Sequence, residues 1–447
     1  MKYGLYLLKT FSKLPNNSLP EYLNIAFISE LLLVLEKWSS KNEKYIVFNI
    51  LYILTNYTYS YENQNTPLSS YFLTARGYSI WEQCFNMQNY EIMSQLIWML
   101  TNVIFDDRKA GYNFMMSSFF RIKIFDFYSN QFILSHFNET NENNIFFIII
   151  EKGMILFSNL LLVSSQSLSL LQENEINKTK KIIFSLILKY AESNSKKIYQ
   201  VCIYSISKSI DNDVNLKSPQ LIELLENSDI INKVLDKKFF NEERVCLFGN
   251  QIIGNYISIK DNLPDEFYEK IINFEMDLLF STKSSIIRKD IFWVLSNVLH
   301  DFQKSFIIMS NNKIFFNKVF NLFNEGENYE EIKQIAYFLL CVTMQANVKF
   351  LFDLQENGII DKVVEYAKNT YQKPEDLVTI FQLIEAFLDS GEYLKDNYNG
   401  NNVIKNKYEK LGVEDIVEKY ADTNNEKLGD VIDNIISKYY VNYSEKI

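Results

Sequence analysis

Long stretches of the chain place apolar residues every three or four positions, the spacing of one face of an α-helix. Residues 31–38, 45–57 and 94–105 have this pattern. Short stretches rich in asparagine, serine and lysine interrupt it, for example at 138–144 and 310–313. The pattern therefore predicts many amphipathic helices joined by short polar connections.

A short phrase recurs within these helices. Trp98-Met-Leu-Thr-Asn102 returns as Trp293-Val-Leu-Ser-Asn297, and weaker copies occupy corresponding places in other helical blocks. The last position of the phrase falls in successive blocks at Asn56, Asn102, Asn159, Ser207, Asn255, Asn297, Cys341 and Ala386. Successive positions are between 42 and 57 residues apart. A period in the forties in a helical chain indicates stacked repeats of the armadillo or HEAT type.

The predicted fold is all-α, a right-handed superhelical solenoid of about eight repeats with a C-terminal capping repeat. The repeats are placed at residues 1–62, 63–107, 108–165, 166–212, 213–259, 260–303, 304–346 and 347–392. The remainder, 393–447, is predicted as a polar linker followed by capping helices. The greater length of the third repeat is attributed to an insertion at 138–144. Such an architecture offers a long surface, which favours binding over catalysis.

Composition narrows the choice of fold and partner. The chain has 12 glycines and 6 prolines in 447 residues, fewer than a βαβ architecture with phosphate-binding turns needs. Its net charge is −10, without a basic tail, so a nucleic acid is not expected as a partner. An acidic solenoid is better suited to a basic protein segment.

The residue types that carry catalysis or bind metals are scattered. Four cysteines lie far apart in apolar helical segments, at Cys84, Cys202, Cys246 and Cys341. Without paired cysteine or histidine spacing, neither a metal site nor a cofactor is predicted. His136 and His300 have no sequence partners for a catalytic triad, so no enzyme activity is predicted. The most apolar stretch, 144–171, is interrupted by Glu151 and Lys152 and is predicted as two buried helices rather than a membrane span.

The ordered succession of motifs resembles the importin-α (karyopherin-α) family of nuclear import adaptors. Besides the Trp-x-x-x-Asn phrase, the likeness includes Gly254-Asn255 and residues 287–298, 355–361, 381–392 and 408–440. The resemblance implies armadillo repeats. It also implies a function in the cytoplasm and nucleus, where nuclear-localisation-signal peptides of cargo proteins are bound in a concave groove.

Residues four apart on a helix share one face, so each Trp/Asn pair is expected to face the groove. Tryptophan rings can hold the stems of lysine or arginine, and an asparagine can bond to a peptide backbone. By resemblance, Asp106 stands where a carboxylate captures a lysine, and Glu392 serves a second site. The predicted peptide-binding residues are Tyr52, Asn56, Trp98, Asn102, Asp106, Asn159, Ser207, Asn255, Trp293, Asn297, Tyr337 and Glu392.

Departures from the family pattern leave two functions open. Ile155, Ile203 and Gln251 stand where the family pattern has tryptophan. The opening residues do not form the family's basic segment that binds the importin-β carrier. The first hypothesis is that the protein is an adaptor that binds basic peptide segments and also binds a transport carrier. The alternative is a non-enzymatic scaffold subunit of a larger assembly, with a decayed peptide groove. Neither hypothesis includes insertion into a membrane.

Overall fold

The computed structural model describes residues 25–59, 67–107, 109–163, 169–211, 219–236, 242–260, 262–368 and 373–440. Within these ranges the structure is helical and contains no strand, so the predicted all-α fold is confirmed. The chain divides into two compact units, the first ending at Ile252 and the second beginning at Ile253. The predicted start of the first repeat at 1–24 and the polar segments at 60–66 and 212–218 lie outside the described residues.

The first unit is built from helices of unequal length. In chain order they are α1 (Ile25–Ser39), α2 (Lys44–Tyr59), α3 (Ser69–Phe72), α4 (Ala75–Asn86), α5 (Tyr90–Asp106), α6 (Ala110–Met116), a π-helix (Phe119–Phe125), α7 (Asp126–Ser129), α8 (Gln131–Leu134), α9 (Ile145–Leu161), α10 (Leu170–Tyr190), α11 (Lys196–Ile210), α12 (Pro219–Glu226), α13 (Ile230–Leu235) and α14 (Glu243–Ile259). The division between the units falls within α14.

The second unit continues with the same kinds of element. Its helices are α15 (Asp265–Ser281), α16 (Ser285–Asp301), α17 (Ser305–Ser310), α18 (Lys313–Glu325), α19 (Tyr329–Gln345), α20 (Val348–Asp353), a 3-10 turn (Leu354–Asn357), α21 (Ile359–Lys368), α22 (Pro374–Tyr393), a second 3-10 turn (Lys395–Tyr398), α23 (Val403–Lys410), α24 (Val413–Ala421) and α25 (Glu426–Tyr439).

The recurring set is a short helix followed by two longer ones, as in α3–α4–α5, α17–α18–α19 and α20–α21–α22. This is the arrangement of an armadillo repeat, and each unit is an all-α stack of such repeats. We call the helices that carry the recurring phrase the ladder helices: α2, α5, α9, α11, α14, α16, α19 and α22. In the first unit α2 packs on α5, α5 on α9 and α9 on α11; in the second, α16 packs on α19 and α19 on α22. The right-handed superhelix and the domain division at residue 392 stay predictions.

A buried tryptophan sets the corner between α3 and α4. The Trp81 side chain is fully buried, and its indole N–H donates to the carbonyl oxygen of Phe72 at 2.8 Å. The Thr74 hydroxyl accepts from the backbone N–H of Gly77 at 3.0 Å and caps the start of α4. A Cβ at position 77 would lie 2.3 Å from the Phe72 oxygen, so this corner requires glycine.

Between α6 and α9 the third repeat contains the π-helix, the short α7 and α8, and then residues 138–144. The assignment of the extra length to 138–144 stays a prediction. The buried Tyr128 of α7 ties this segment down: its hydroxyl donates to the Ile149 carbonyl at 2.6 Å. The Tyr190 hydroxyl in turn donates to the Tyr128 carbonyl at 2.9 Å. Gly153 leaves room for the tyrosine ring, since a Cβ there would lie 2.1 Å from it. These contacts fix the irregular segment against α9 and α10.

The long apolar stretch around α9 is buried within the first unit. Among the described helices, none is both long and apolar enough to cross a membrane.

Candidate peptide-binding face

The ladder helices of the first unit present a row of half-buried side chains. Tyr52 and Asn56 lie on α2, Trp98 and Asn102 on α5, and Asn159 on α9, all at intermediate exposure. The neighbouring positions on these helices are largely buried in the core. The predicted Trp/Asn face therefore meets solvent over these three helices.

The asparagine amides cross from one ladder helix to the one before it. Asn102 Nδ2 donates to the Thr55 carbonyl and the Thr58 hydroxyl, both at 3.2 Å. Asn159 Nδ2 donates to the Thr101 carbonyl at 3.4 Å. In each case the acceptor carbonyl belongs to the residue just before the ladder position of the preceding helix. The N–H groups that were expected to serve a peptide therefore join the repeats to each other.

The second unit repeats this contact. Asn297 Nδ2 donates to the Gly254 carbonyl at 3.3 Å and to the Ser258 hydroxyl at 3.0 Å. Gly254 again directly precedes the ladder position of its helix, Asn255. Within the described residues, no donor bonds to the Oδ1 atoms of Asn102, Asn159 or Asn297. Each amide is thus fixed by its nitrogen, and its oxygen can accept a further hydrogen bond.

Trp293 lies against the backbone of α14. A Cβ on Gly254 would sit 2.3 Å from the Trp293 ring, so the indole packs directly on this glycine. Trp293 is half-buried, and no lysine or arginine among the described residues lies over its ring. This ring is a surface on which the stem and charge of an external lysine or arginine can rest.

The ring of Trp98, by contrast, already has a cation beside it. Lys152 of α9 places its Nζ 5.8 Å from the Trp98 ring centroid and donates to the Ser94 hydroxyl at 3.0 Å. Burial lowers the pKa of Lys152 to about 8. In the sequence, Lys152 only interrupts an apolar stretch. Its contact with α5 depends on the packing of two helices, which the sequence pattern does not show.

Asp106 ends α5 one turn beyond Asn102. It is exposed, and no lysine or arginine in the described ranges pairs with it. Partial desolvation raises its pKa, the charge of Asp107 adds to this, and a backbone hydrogen bond at Leu68 opposes it. Asp107 is engaged locally, accepting from the Ser69 hydroxyl at 2.5 Å. Of the two carboxylates, Asp106 is the one open to an external cation.

The middle of the predicted row is less accessible. Ser207 is 1% exposed and donates to Gln251 Oε1 at 2.9 Å. Asn255 is 6% exposed. On α11 the half-buried positions are instead Tyr204 and Lys208, one residue later than the predicted pair. A role for Ser207 and Asn255 in peptide contact stays a prediction, and the structure gives both a place in the packing.

In the second unit, the side chains of Tyr337 and Glu392 both contact other residues of the chain. The Tyr337 hydroxyl lies 3.1 Å from His300 Nε2, which is also 3.5 Å from Cys341 Sγ. Glu392 accepts from Lys395 at 2.5 Å and from Asn402 at 3.4 Å. The hydrogen bond from Lys395 is the main reason that the pKa of Glu392 is lowered. An external lysine would have to compete with Lys395 for this carboxylate.

The cysteines lie in the core. All four are buried, and none forms a disulfide. Burial raises the pKa of Cys341 to about 11 and that of Cys84 to about 12, so both remain thiols near neutral pH. No cluster of metal-ligating side chains occurs among the described residues. The absence of enzyme activity stays a prediction.

Comparison with known proteins places the chain in no family. No protein-family model matches it, and no curated protein matches it. Among solved structures it is similar to the designed armadillo repeat protein YIII(Dq)4CqI, with 16% sequence identity and a TM-score of 0.44 over 57% of this chain and 98% of that one. A second is the designed armadillo repeat protein YIII(Dq.V1)4CPAF in complex with peptide (KR)4, with 12% identity and a TM-score of 0.32 over 68% of this chain and 97% of that one. Likenesses at this level identify no relative of the chain.

Proposed function

We propose that this protein is a binding scaffold that takes extended polypeptide segments along its ladder helices. The observation that carries the proposal is the repeated asparagine geometry. In three places the amide nitrogen is bonded to the preceding helix, while no donor in the described structure bonds to the amide oxygen of the half-buried side chain. An extended chain presents an unbonded N–H every second residue on one side, which suits acceptors on neighbouring helices such as Asn102 and Asn159 of the first unit. Asn297 offers an acceptor of the same kind in the second unit.

The side chains beside these acceptors favour a segment that contains basic residues. The Trp293 ring can receive a lysine or arginine stem, a contact that contributes on the order of 0.5–2 kcal/mol. Asp106 is an exposed carboxylate without a described cationic partner. The net charge of −10 favours association with a basic segment at low salt. The narrower function, an adaptor that carries basic cargo signals between cytoplasm and nucleus, rests on the resemblance to importin-α.

The test is a fluorescence-anisotropy titration with a labelled Lys/Arg-rich bipartite peptide and an alanine-substituted control, at low and physiological salt. We expect micromolar binding, weakened about 5- to 30-fold by Trp293→Ala or Asn297→Leu, as losses of 1–2 kcal/mol imply. The matched control is Asn321→Leu, an exposed asparagine on α18, which is not a ladder helix. A well-folded protein whose Kd exceeds about 100 μM for this peptide would contradict the preference for basic segments.

A second function is favoured by a different observation. Several groups that a peptide groove would use are satisfied within the chain: Glu392 by Lys395, and Ser207 by Gln251. Such a surface suits a scaffold subunit held permanently in a larger assembly. This function predicts a stable co-purifying partner in native fractionation. Recovery as a free monomer throughout would count against it.

A further inference from the structure

The Lys152 ammonium occupies the place beside Trp98 that a basic peptide would need. Its Nζ lies 5.8 Å from the centroid of the ring and is held by the Ser94 hydroxyl. A lysine of an incoming segment would meet both an occupied ring and a like charge. The Trp98 position therefore differs from Trp293, whose ring has no described cation over it.

The charge of Lys152 is incompletely balanced. An ammonium has three N–H donors, and Ser94 accepts one of them; no carboxylate in the described structure forms an ion pair with it. Its chain neighbour Glu151 lies in the field of Lys197, which is itself paired with Glu142 at 2.5 Å. The charge of Glu151 also acts on Lys152 and opposes the effect of burial, but burial is the larger effect, and Glu151 does not form an ion pair with the ammonium. An incoming anion in direct contact with the ammonium would therefore stabilise it.

We propose that Lys152 and Trp98 form a subsite for an acidic side chain, Asp or Glu, of the bound polypeptide. The proposal rests on the peptide-binding function above and specifies the chemistry of one position. The carboxylate accepts from Lys152 Nζ while the stem of the acidic residue lies along the indole. Asn102 follows Trp98 by four residues, about 6 Å along α5, a distance that about two residues of extended chain span. The acidic residue therefore lies within two positions of the residue whose N–H reaches Asn102.

The experiment uses the intact chain, immobilised, to select from a displayed library of random 12-residue peptides. Wild type is compared with Lys152→Glu, which reverses the charge, and Lys152→Met, which keeps the apolar stem. Lys178→Glu, at an exposed lysine on α10, which is not a ladder helix, is the matched control. Thermal unfolding of each variant verifies that it is folded.

We expect wild type and Lys178→Glu to enrich Asp or Glu at one fixed position of the selected peptides. Lys152→Glu should enrich Lys or Arg at that position, and Lys152→Met neither. Replacing the selected Glu by Gln in one synthetic peptide should weaken wild-type binding about 10- to 150-fold, the ratio expected for a charge-assisted hydrogen bond. The same replacement should change Lys152→Met binding about twofold or less, since its charged partner is gone.

Two results would overturn the subsite. One is enrichment of the same residues by wild type and Lys152→Glu. The other is tighter binding of basic peptides to Lys152→Met than to wild type, which would mean that Lys152 blocks the Trp98 ring and does not bind the ligand. Failure of the proposed function has a different signature: no peptide enriched over the blank support, or enrichment unchanged in Asn102→Leu. In that case the subsite falls with it.

Discussion

Replacing the buried Glu275 of α15 by methionine should stabilise the second unit. Glu275 is 0% exposed, and neither of its carboxyl oxygens has a hydrogen-bond partner in the described structure. Burial raises its pKa well above the usual value, and the nearby carboxylate of Asp290 raises it further. The folded protein therefore holds Glu275 protonated and unsatisfied, and a methionine of similar length fills the same space without these penalties.

The magnitude has two parts. A buried, unpartnered polar group costs about 1–3 kcal/mol, which methionine removes at any pH. The second part depends on pH, because the folded state keeps a proton that the unfolded chain releases above its ordinary value of 4.5. The protonation of Glu275 therefore does not reduce the free energy of unfolding below that pH. As pH rises from there toward the folded-state pKa, the free energy of unfolding falls by at most about 1.4 kcal/mol per pH unit.

The assay is calorimetric unfolding of the intact protein at pH 5 and pH 8, with Glu275→Met and Glu275→Gln. A unit of this size shifts its Tm by about 2–4 °C per kcal/mol. Methionine should raise the Tm of the second unit at both pH values, and more at pH 8; glutamine should remove the pH-dependent part alone. Glu269→Met, at an exposed position of the same helix, is the control. A lower Tm for Glu275→Met at pH 8 would show that the Glu275 side chain stabilises the second unit.

Three further changes follow from single contacts. Gly254→Ala should displace the Trp293 ring and destabilise the second unit by about 1–3 kcal/mol in urea unfolding. The control Gly429→Ala should be neutral or slightly stabilising, because the nearest atom to its added Cβ lies at 3.8 Å. Equal effects of the two variants would contradict the packing of Trp293 on Gly254. Arg288→Ala should lower the free energy of unfolding by about 3–5 kcal/mol in the same assay. The reason is that Arg288 donates to the buried carboxylate of Glu331 at 2.5 and 2.9 Å, and the variant leaves this carboxylate without its partner. A loss below 1 kcal/mol would contradict a stabilising role for this ion pair. The pKa of Lys152 is lowered from 10.5 to about 8, so between these values the folded state binds fewer protons than the unfolded chain. The first unit should therefore become more stable as pH rises from 8 to 10.5. This gain should be missing from the thermal unfolding of Lys152→Met, and identical pH profiles for the variant and wild type would contradict the prediction.

The helical repeats were predictable because their signal is periodic. Apolar spacing marked the helices, and the return of Trp98 and Asn102 as Trp293 and Asn297 identified equivalent faces. The corner at Gly77 and the packing of Trp293 on Gly254 require the fold, since they are contacts between helices.

The rotation of individual helices was not predictable from one sequence. On α11 the predicted pair Ile203 and Ser207 is buried, and Tyr204 and Lys208 take the half-buried positions. A repeat of unequal length permits such a shift of phase by one residue. The contacts of Lys152 were also not predictable from the sequence, because its partners Trp98 and Ser94 lie 54 and 58 residues earlier, on another helix.

In the proposed function, the amide oxygens of the ladder asparagines accept hydrogen bonds from the backbone of a bound segment. The most direct measurement is a double-mutant cycle between Asn102→Leu and single backbone N-methylation along a selected peptide. We expect one peptide position at which the two losses are not additive, with a coupling of about 0.5–3 kcal/mol. Additive losses at every position, with the variant still folded, would contradict it.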